Sequence, residues 1–223
     1  MFNNYLFRAS ELGNLMTESR TKGELSQTTK SFLRDIWIEE VYGVKKEIGS
    51  KYLTKGVECE EKSLSLYSEV KGEFLVKNEV LFKNEYIHGT PDSIPDTRIV
   101  EIKSSWDIFT FFDAELTKNY YWQMLGYLWL TGLKKATLAY CLVNTPYHLF
   151  EQEEKKIYFN NDCNYDSPQY IAEVENLKKM HMVDYIPANK RVKTFDIEFN
   201  QEEIDKLVLR IEEARKYLNG LDL

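Results

Sequence analysis

Apolar residues recur at Phe32, Leu33, Ile36, Trp37, Val41 and Tyr42. That spacing returns to one face every three or four positions. It predicts an amphipathic helix over residues 29–42, stopped by Gly43. Residues 56–70 predict a second helix, with Leu64, Leu66, Tyr67 and Val70 apolar and Gly72 just past its end. On this reading Glu58, Glu60 and Glu61 fall in its first turn, where acids oppose the helix dipole. Ser10 to Thr17 reads as a short capped helix running into a polar loop. The period then changes. Residues 74–82, 86–88 and 92–94 read as strands, Pro95-Asp96-Thr97 as a turn, and residues 98–103 as a β-rich run. Residues 109–114 open a loop or short helix, 119–131 predict a strongly apolar helix closed by Gly132, and 135–143 a buried strand. Residues 151–156 are charged and read as a solvated stretch. A helix over 165–182, a short strand within 190–199 and an amphipathic helix over 201–218 complete the chain.

Helices, then a strand cluster, then helix, strand and helices suit an α/β or α+β domain with helices packed on a central mixed sheet. The chain has 223 residues, enough for one substantial core. It shows no internal repeat and no low-complexity linker, so one domain over 1–223 is expected. No apolar run approaches the roughly 20 residues that span a bilayer. Met1 to Ser10 carries no secretory pattern. Cys59, Cys141 and Cys163 stand far apart, which argues against a zinc or iron–sulfur site and fits a reducing cytoplasm. His88, His148 and His181 are scattered, and none reads as a metal ligand.

The net charge of −7 argues against a protein that coats DNA non-specifically. It leaves room for a site built from clustered carboxylates, whose charge bound cations neutralise. Aromatic residues, at 14%, exceed what a core of this size requires, so some of Tyr120 to Trp122 could stack on bases, although core filling explains most of them.

The informative segment is Gly89-Thr90-Pro91-Asp92, followed by Val100-Glu101-Ile102-Lys103. Side chains alternate along a strand, so Glu101 and Lys103 share one face and Val100 and Ile102 the other. Asp92 lies nine residues before Glu101, and the intervening turn folds it back as a hairpin partner. Two carboxylates held together repel unless a cation sits between them. Oxygen donors without His or Cys favour Mg²⁺, with Mn²⁺ as the alternative. The backbone carbonyl of Ile102, between Glu101 and Lys103, is a further candidate ligand. A lysine beside such a centre orients a water or helps to deprotonate it, and offsets charge in the transition state.

These residues resemble the PD-(D/E)XK nuclease signature. Gly56-Val57-Glu58-Cys59-Glu60 resembles the acidic helix that precedes its strands. Tyr121-Trp122-Gln123-Met124-Leu125-Gly126-Tyr127 resembles its downstream Gln-containing helix. Arg8-Ala9-Ser10 with Leu15-Met16-Thr17 is similar to the phosphate-contacting N-terminal segment of phage exonucleases. Together they resemble the YqaJ-like, lambda-exonuclease-like phage recombinases over roughly residues 5–145. The resemblance implies a restriction-endonuclease-like core at about 30–145, a DNA-end segment at 1–30 and a helical extension at 165–223. It implies Asp92, Glu101 and Glu60 as metal-site carboxylates, Lys103 as the catalytic lysine, and Gln123 beside the phosphate with Tyr127 one turn on. Arg8 and Ser10 would hold a terminal phosphate, and Ser104 and Ser105 would touch the DNA backbone. Implied too are 5′-to-3′ action on the ends of double-stranded DNA, a single-strand annealing partner and a homo-oligomer, ring-shaped in some members. Such groups often carry another acid shortly before the first ligand; here Glu79 and Glu85 straddle that position.

An acid–x–Lys taken alone is most often a solvated surface pair. The hairpin-spaced Asp92 and the ordered Glu60 and Gln123 helices set this one apart. Arg8, and the run Lys190-Arg191-Val192-Lys193, could equally be solvated. Two other readings stay open: an endonuclease of the same fold acting within duplex or branched DNA, and a non-catalytic DNA- or protein-binding module.

Overall fold

The computed structural model describes residues 1–21, 23–46, 49–162 and 164–222; Cys163 lies outside them. The chain begins with β1 (Phe7–Arg8), a 3₁₀ turn and α1 (Leu12–Leu15). Two long helices follow, α2 (Gln27–Tyr42) and α3 (Lys51–Lys71). Ser26 caps α2 by accepting from the Thr29 N–H, which satisfies one of the open donors of the first turn. Gly72, at φ 66°, closes α3 in a left-handed conformation that costs a glycine nothing.

Short strands β2 (Phe82–Lys83) and β3 (Ile87–Gly89) lead to β4 (Arg98–Ser104), α4 (Ile108–Phe112), α5 (Lys118–Thr131) and β5 (Lys135–Cys141). Then come α6 (Tyr147–Asn160), α7 (Pro168–His181), β6 (Val192–Glu198) and α8 (Gln201–Asn219). The strands form two three-stranded mixed sheets, in the orders β1-β3-β2 and β4-β5-β6. β4 and β5 run parallel in the register Glu101 to Leu138 and Lys103 to Tyr140, joined by the crossover helix α5. β6 pairs antiparallel with β5 on its other edge. β5 is therefore central, and it is buried from Ala136 to Cys141.

The period-2 rule sets which helix each strand residue meets. Val100, Ile102, Ala139 and Cys141 pack against Cys59, Leu64, Leu66 and Tyr67 of α3. Ile99 and Leu138 face the opposite way, into the core shared by Met124, Leu125 and Leu128 of α5 and Leu207 and Ile211 of α8. Phe2, Phe7 and Leu12 belong to that same core. Arg215 of α8 donates to the carbonyls of Tyr5 and Glu85, tying α8 to the N-terminal segment. The last third of the chain thus supplies a strand of the main sheet and a wall of the main core.

Three expectations change. Helix α3 begins at Lys51, not near Gly56, so Glu60 sits well inside it and the helix dipole does not explain its charge. The segment read as a strand over 74–82 is mostly extended without a ladder: it holds an isolated bridge at Lys77 and the short β2, with Phe74, Val76, Val80 and Leu81 exposed. The charged stretch at 151–156 lies within α6, its polar residues on the outer face of a helix whose Leu149 and Phe150 are buried.

Candidate active site

The hairpin expected between Asp92 and Glu101 is present. Ser93 and Val100 exchange two backbone hydrogen bonds, at 3.1 and 2.9 Å, and the Arg98 N–H closes the turn on the Pro95 carbonyl. This lays the Asp92 segment along the edge of β4 that β5 leaves free. A strand residue points its N–H and C=O to the same edge. The Ile102 N–H donates to Asp92 Oδ2 at 2.7 Å, so the Ile102 carbonyl also lies on the Asp92 side.

Glu101 projects toward α5 and is 2% exposed. Its Oε1 accepts from Lys103 Nζ at 2.8 Å and from Gln123 Nε2 at 2.7 Å, and its Oε2 accepts from the Asp92 N–H at 3.2 Å. A buried carboxylate needs such partners, since leaving it bare costs several kcal/mol. Gln123 also donates to the Tyr127 hydroxyl at 3.0 Å. The ring of Tyr127 lies where a Cβ on Gly89 would stand 2.7 Å from its Cε1, so Gly89 admits no side chain. Burial and the Glu101 charge raise the Tyr127 pKa and keep it a neutral phenol.

Burial, then the charge of Glu101, pushes the Asp92 carboxyl up to about 7. Burial pulls the Lys103 ammonium down, but Glu101 and Asp92 together outweigh it and raise its pKa, so it keeps its proton. The ammonium also faces the ring of Tyr120, 5.3 Å from its centroid.

These groups open onto a cleft of about 560 Å³ between α3 and α5, lined among others by Glu60, Asp92, Lys103, Ser105, Trp106 and Tyr120. Glu60 reaches it from α3 with its Oε1 2.8 Å from Lys77 Nζ. Among the described residues no three acidic, His or Cys side chains converge as a finished metal cage. Each carboxylate is instead turned onto an internal donor: Asp92 onto Ile102, Glu101 onto Lys103 and Gln123, Glu60 onto Lys77. The donor set nonetheless fits a hard divalent cation. It consists of oxygens alone, and three carboxylates face only two ammonium groups.

The other sequence-predicted residues divide. Ser104 Oγ is engaged with Ser63 Oγ of α3 at 2.8 Å. Ser105 is buried, its N–H prolongs the β4–β5 ladder to the Cys141 carbonyl, and its hydroxyl finds no partner among the described residues. Arg8 and Ser10 do not enter the cleft. With His88, Gly89, Thr90 and Tyr127 they line a separate hollow of about 290 Å³, and Tyr127 is the wall between that hollow and the Gln123–Glu101 pair. Glu79 and Glu85 are exposed and line neither space. His88 pairs with Arg8 across β1–β3, and His181 is buried against Thr145, away from the carboxylates.

Two participants were invisible in the sequence. Lys77 stood in a segment read as an ordinary strand. Lys55, fully buried, donates to the carbonyls of Trp106 and Val143 and to Thr145 Oγ1, at 2.8 to 2.9 Å, and so ties α3 to the loop that follows β4. Lys55 falls just before the helix expected from the sequence, and a lysine there gives no sign of such burial.

No protein-family model and no curated protein sequence matches this chain. Solved structures do. A phage-related exonuclease from Haemophilus somnus 129PT is similar at 28% identity, over 96% of this chain and 94% of that one, with a TM-score of 0.77. An alkaline exonuclease from Laribacter hongkongensis is similar at 15% identity, over 96% and 88%, with a TM-score of 0.65. The same enzyme in complex with dAMP gives 16% and 0.64. The likeness runs nearly end to end, well past the region that the motifs covered, and no described helix is long and apolar enough to cross a membrane. The chain has the mixed α/β fold of the phage-type exonucleases, the PD-(D/E)XK group that its Asp92, Glu101 and Lys103 resemble.

Proposed function

We propose that this chain is a metal-dependent deoxyribonuclease that hydrolyses phosphodiester bonds from the ends of linear duplex DNA, in the 5′-to-3′ direction. One observation carries the reading. Asp92, Glu101 and Lys103 meet at the free edge of β4, with Gln123 behind them, in a fold similar to that of a phage-related exonuclease.

Asp92, Glu101, the Ile102 carbonyl and Glu60 would hold Mg²⁺, or Mn²⁺ in its place. When bound, the ion supplies Lewis acidity to a phosphate oxygen and lowers the pKa of a coordinated water. The protein's own groups do the rest. Lys103, protonated, donates to the attacking water or a phosphate oxygen and offsets the charge that develops there. Gln123 fixes the Glu101 carboxylate, and Tyr127 fixes Gln123. The Ser105 hydroxyl is buried and Ser104 is committed to α3, so a contact of either with the DNA backbone would need them to turn outward. Nothing in the cleft resembles an activated Ser or Cys nucleophile, so water attacks directly. The Arg8–Ser10 hollow, reached across Tyr127, suits a terminal phosphate and favours action at ends. We take the whole chain as one catalytic unit, because β6 and α8 complete the sheet and core behind the site.

The test is a time course on a linear duplex labelled at one 5′ end, with and without a 5′ phosphate, in Mg²⁺ and in EDTA. Mononucleotide release from the phosphorylated end, abolished by EDTA, is the expected result. Efficient cutting of a closed circular duplex would favour an endonuclease of the same fold. No release in either metal, with Lys103→Ala indistinguishable from wild type, would leave a non-catalytic binding module.

A further inference from the structure

The segment around Lys77 is fastened to the metal-site hairpin. Lys77 bridges Ser93 in an antiparallel pair, and the Asn78 N–H donates to the Asp92 carbonyl at 2.8 Å. Asn78 Nδ2 donates to the Pro91 carbonyl at 3.0 Å, and Ser93 Oγ to the Val76 carbonyl at 2.7 Å. These bonds hold the backbone of Lys77 directly beside Asp92. The side chain is 50% exposed, and among the described residues its ammonium is paired with Glu60 alone. Glu60 is itself fixed on α3, with its side chain 25% exposed. The three carboxylates thus face two lysines of different kinds, Lys103 within the cleft and Lys77 outside it on Glu60. Lys103 is buried against Glu101 through a short, well-supported contact, while Lys77 closes the outer carboxylate from the solvent side.

We propose that Lys77 is a displaceable counter-ion of the carboxylate cluster, which competes with the divalent cation for Glu60 and, once displaced, presents its ammonium to the DNA backbone at the cleft mouth. The inference rests on the metal-site reading above. The physical basis is charge balance. The carboxyl groups of Asp92, Glu101 and Glu60 outnumber the ammonium groups of Lys103 and Lys77, and an ion arriving at Glu60 meets an ammonium already 2.8 Å from its Oε1. Lys77 keeps the empty cluster from repelling itself apart, at the cost of weaker metal binding. A freed ammonium at the mouth, on a chain of net charge −7, then adds a local positive charge where the anionic substrate enters. Exposed pairs of this kind are weak enough to exchange, which a buried pair such as Glu101–Lys103 is not.

The experiment is a Mn²⁺ titration of the full chain without DNA, followed by the shift in thermal unfolding, for wild type, Lys77→Met, Lys77→Arg and Glu60→Gln. For Lys77→Met, the half-saturating Mn²⁺ concentration should fall about fivefold, the size expected from removing one competing charge near a solvent-facing site. Lys77→Arg should stay near wild type. In the Glu60→Gln background, Lys77→Met should have no further effect. The second readout is DNA affinity in Ca²⁺, where Lys77→Met should bind a linear duplex more weakly and with a shallower salt dependence. Equal half-saturation for wild type and Lys77→Met, or the same gain persisting without Glu60, overturns the role of Lys77 and leaves the metal-site reading intact. A wild-type protein that Mn²⁺ does not stabilise at any concentration overturns both.

Discussion

The side-chain amide of Gln123 donates to Glu101 Oε1 at 2.7 Å, from the one buried polar position on an otherwise apolar turn of α5. Met124, Leu125 and Leu128 around it are fully buried. The amide thus reaches the carboxylate from the dry side, while Lys103 reaches the same oxygen from the cleft. Gln123→Ala would leave Glu101 held by Lys103 and the Asp92 N–H alone, without its donor on the dry side. Loss of such a supporting contact typically costs about 10–100-fold in metal affinity or activity. We expect a decline of that size in kcat at saturating Mg²⁺. Gln123→Glu should be worse, because it sets a second carboxylate against Glu101. Steady-state kinetics on a linear duplex, with circular dichroism to check folding, decides it; a Gln123→Ala enzyme at full rate would remove Gln123 from the site.

Lys103 has two duties that one substitution can separate. It donates to the buried Glu101, and it lines the cleft where the proposed reaction would take place. Lys103→Ala should lower turnover by about 10²–10³-fold, as removal of a charged transition-state donor does elsewhere. It should also lower stability in EDTA, since removing one partner of a buried ion pair costs roughly 3–5 kcal/mol. Added Mg²⁺ should restore much of that stability, by replacing the lost positive charge, without restoring turnover. Urea unfolding with and without Mg²⁺ reads the first effect and the DNA assay the second. If Mg²⁺ stabilised wild type and variant equally, Lys103 and the cation would not be sharing the charge of Glu101.

Much of this site was legible because its logic is local. Nine residues and a Pro95-Asp96-Thr97 turn can bring Asp92 beside Glu101 in few ways other than a hairpin, and period 2 then fixes Lys103 on the same face. Gln123 stood out because a buried amide demands partners. What the sequence hid depends on distant pairing. The sequence places the start of α3 near Gly56, and nothing local marks Lys55 as buried. Only the fold shows that its ammonium is buried against the carbonyls of Trp106 and Val143. Lys77 could not be placed without knowing that residues 76–78 fasten to the Pro91–Ser93 segment. β6, too, becomes part of the sheet only when β5 offers its second edge.

The raised pKa of Asp92 gives the proposed metal site a pH dependence with a defined sign. Burial and Glu101 push its carboxyl up to about 7, and a cation binds only the carboxylate. Below that pH each ion must expel a proton to bind, so half-saturating Mg²⁺ should fall steeply between pH 6 and 7 and level off above about 7.5. The slope below the break should approach one decade per pH unit, the limit for one released proton. In the metal-free protein the same group acts oppositely on stability. The folded state binds the proton more tightly, so stability falls as pH rises from about 4 toward 7. Thermal unfolding across this range, with and without Mg²⁺, should give curves of opposite slope. Asp92→Asn should flatten both, and a metal affinity independent of pH would show that Asp92 is not a ligand.

Lys55 makes a prediction independent of catalysis. Burial lowers its pKa from 10.5 to about 8. Its ammonium nevertheless finds three oxygens and joins α3 to the loop after β4 and to Thr145. Between about pH 8 and 9.5 the unfolded chain binds this proton more strongly than the folded one. Stability from Lys55 therefore rises with pH across that window, by at most about 1.4 kcal/mol per unit. Tyr5 works in the reverse direction, but only nearer its unfolded value of 10, because burial holds its phenol up to about 12. Lys55→Met should be less stable than wild type throughout, since the carbonyls of Trp106 and Val143 lose their donor. The decisive quantity is the slope. Urea unfolding at pH 7.5, 8.5 and 9.5 should show wild type gaining stability relative to Lys55→Met as pH rises. Parallel curves would mean that Lys55 titrates as a solvated lysine.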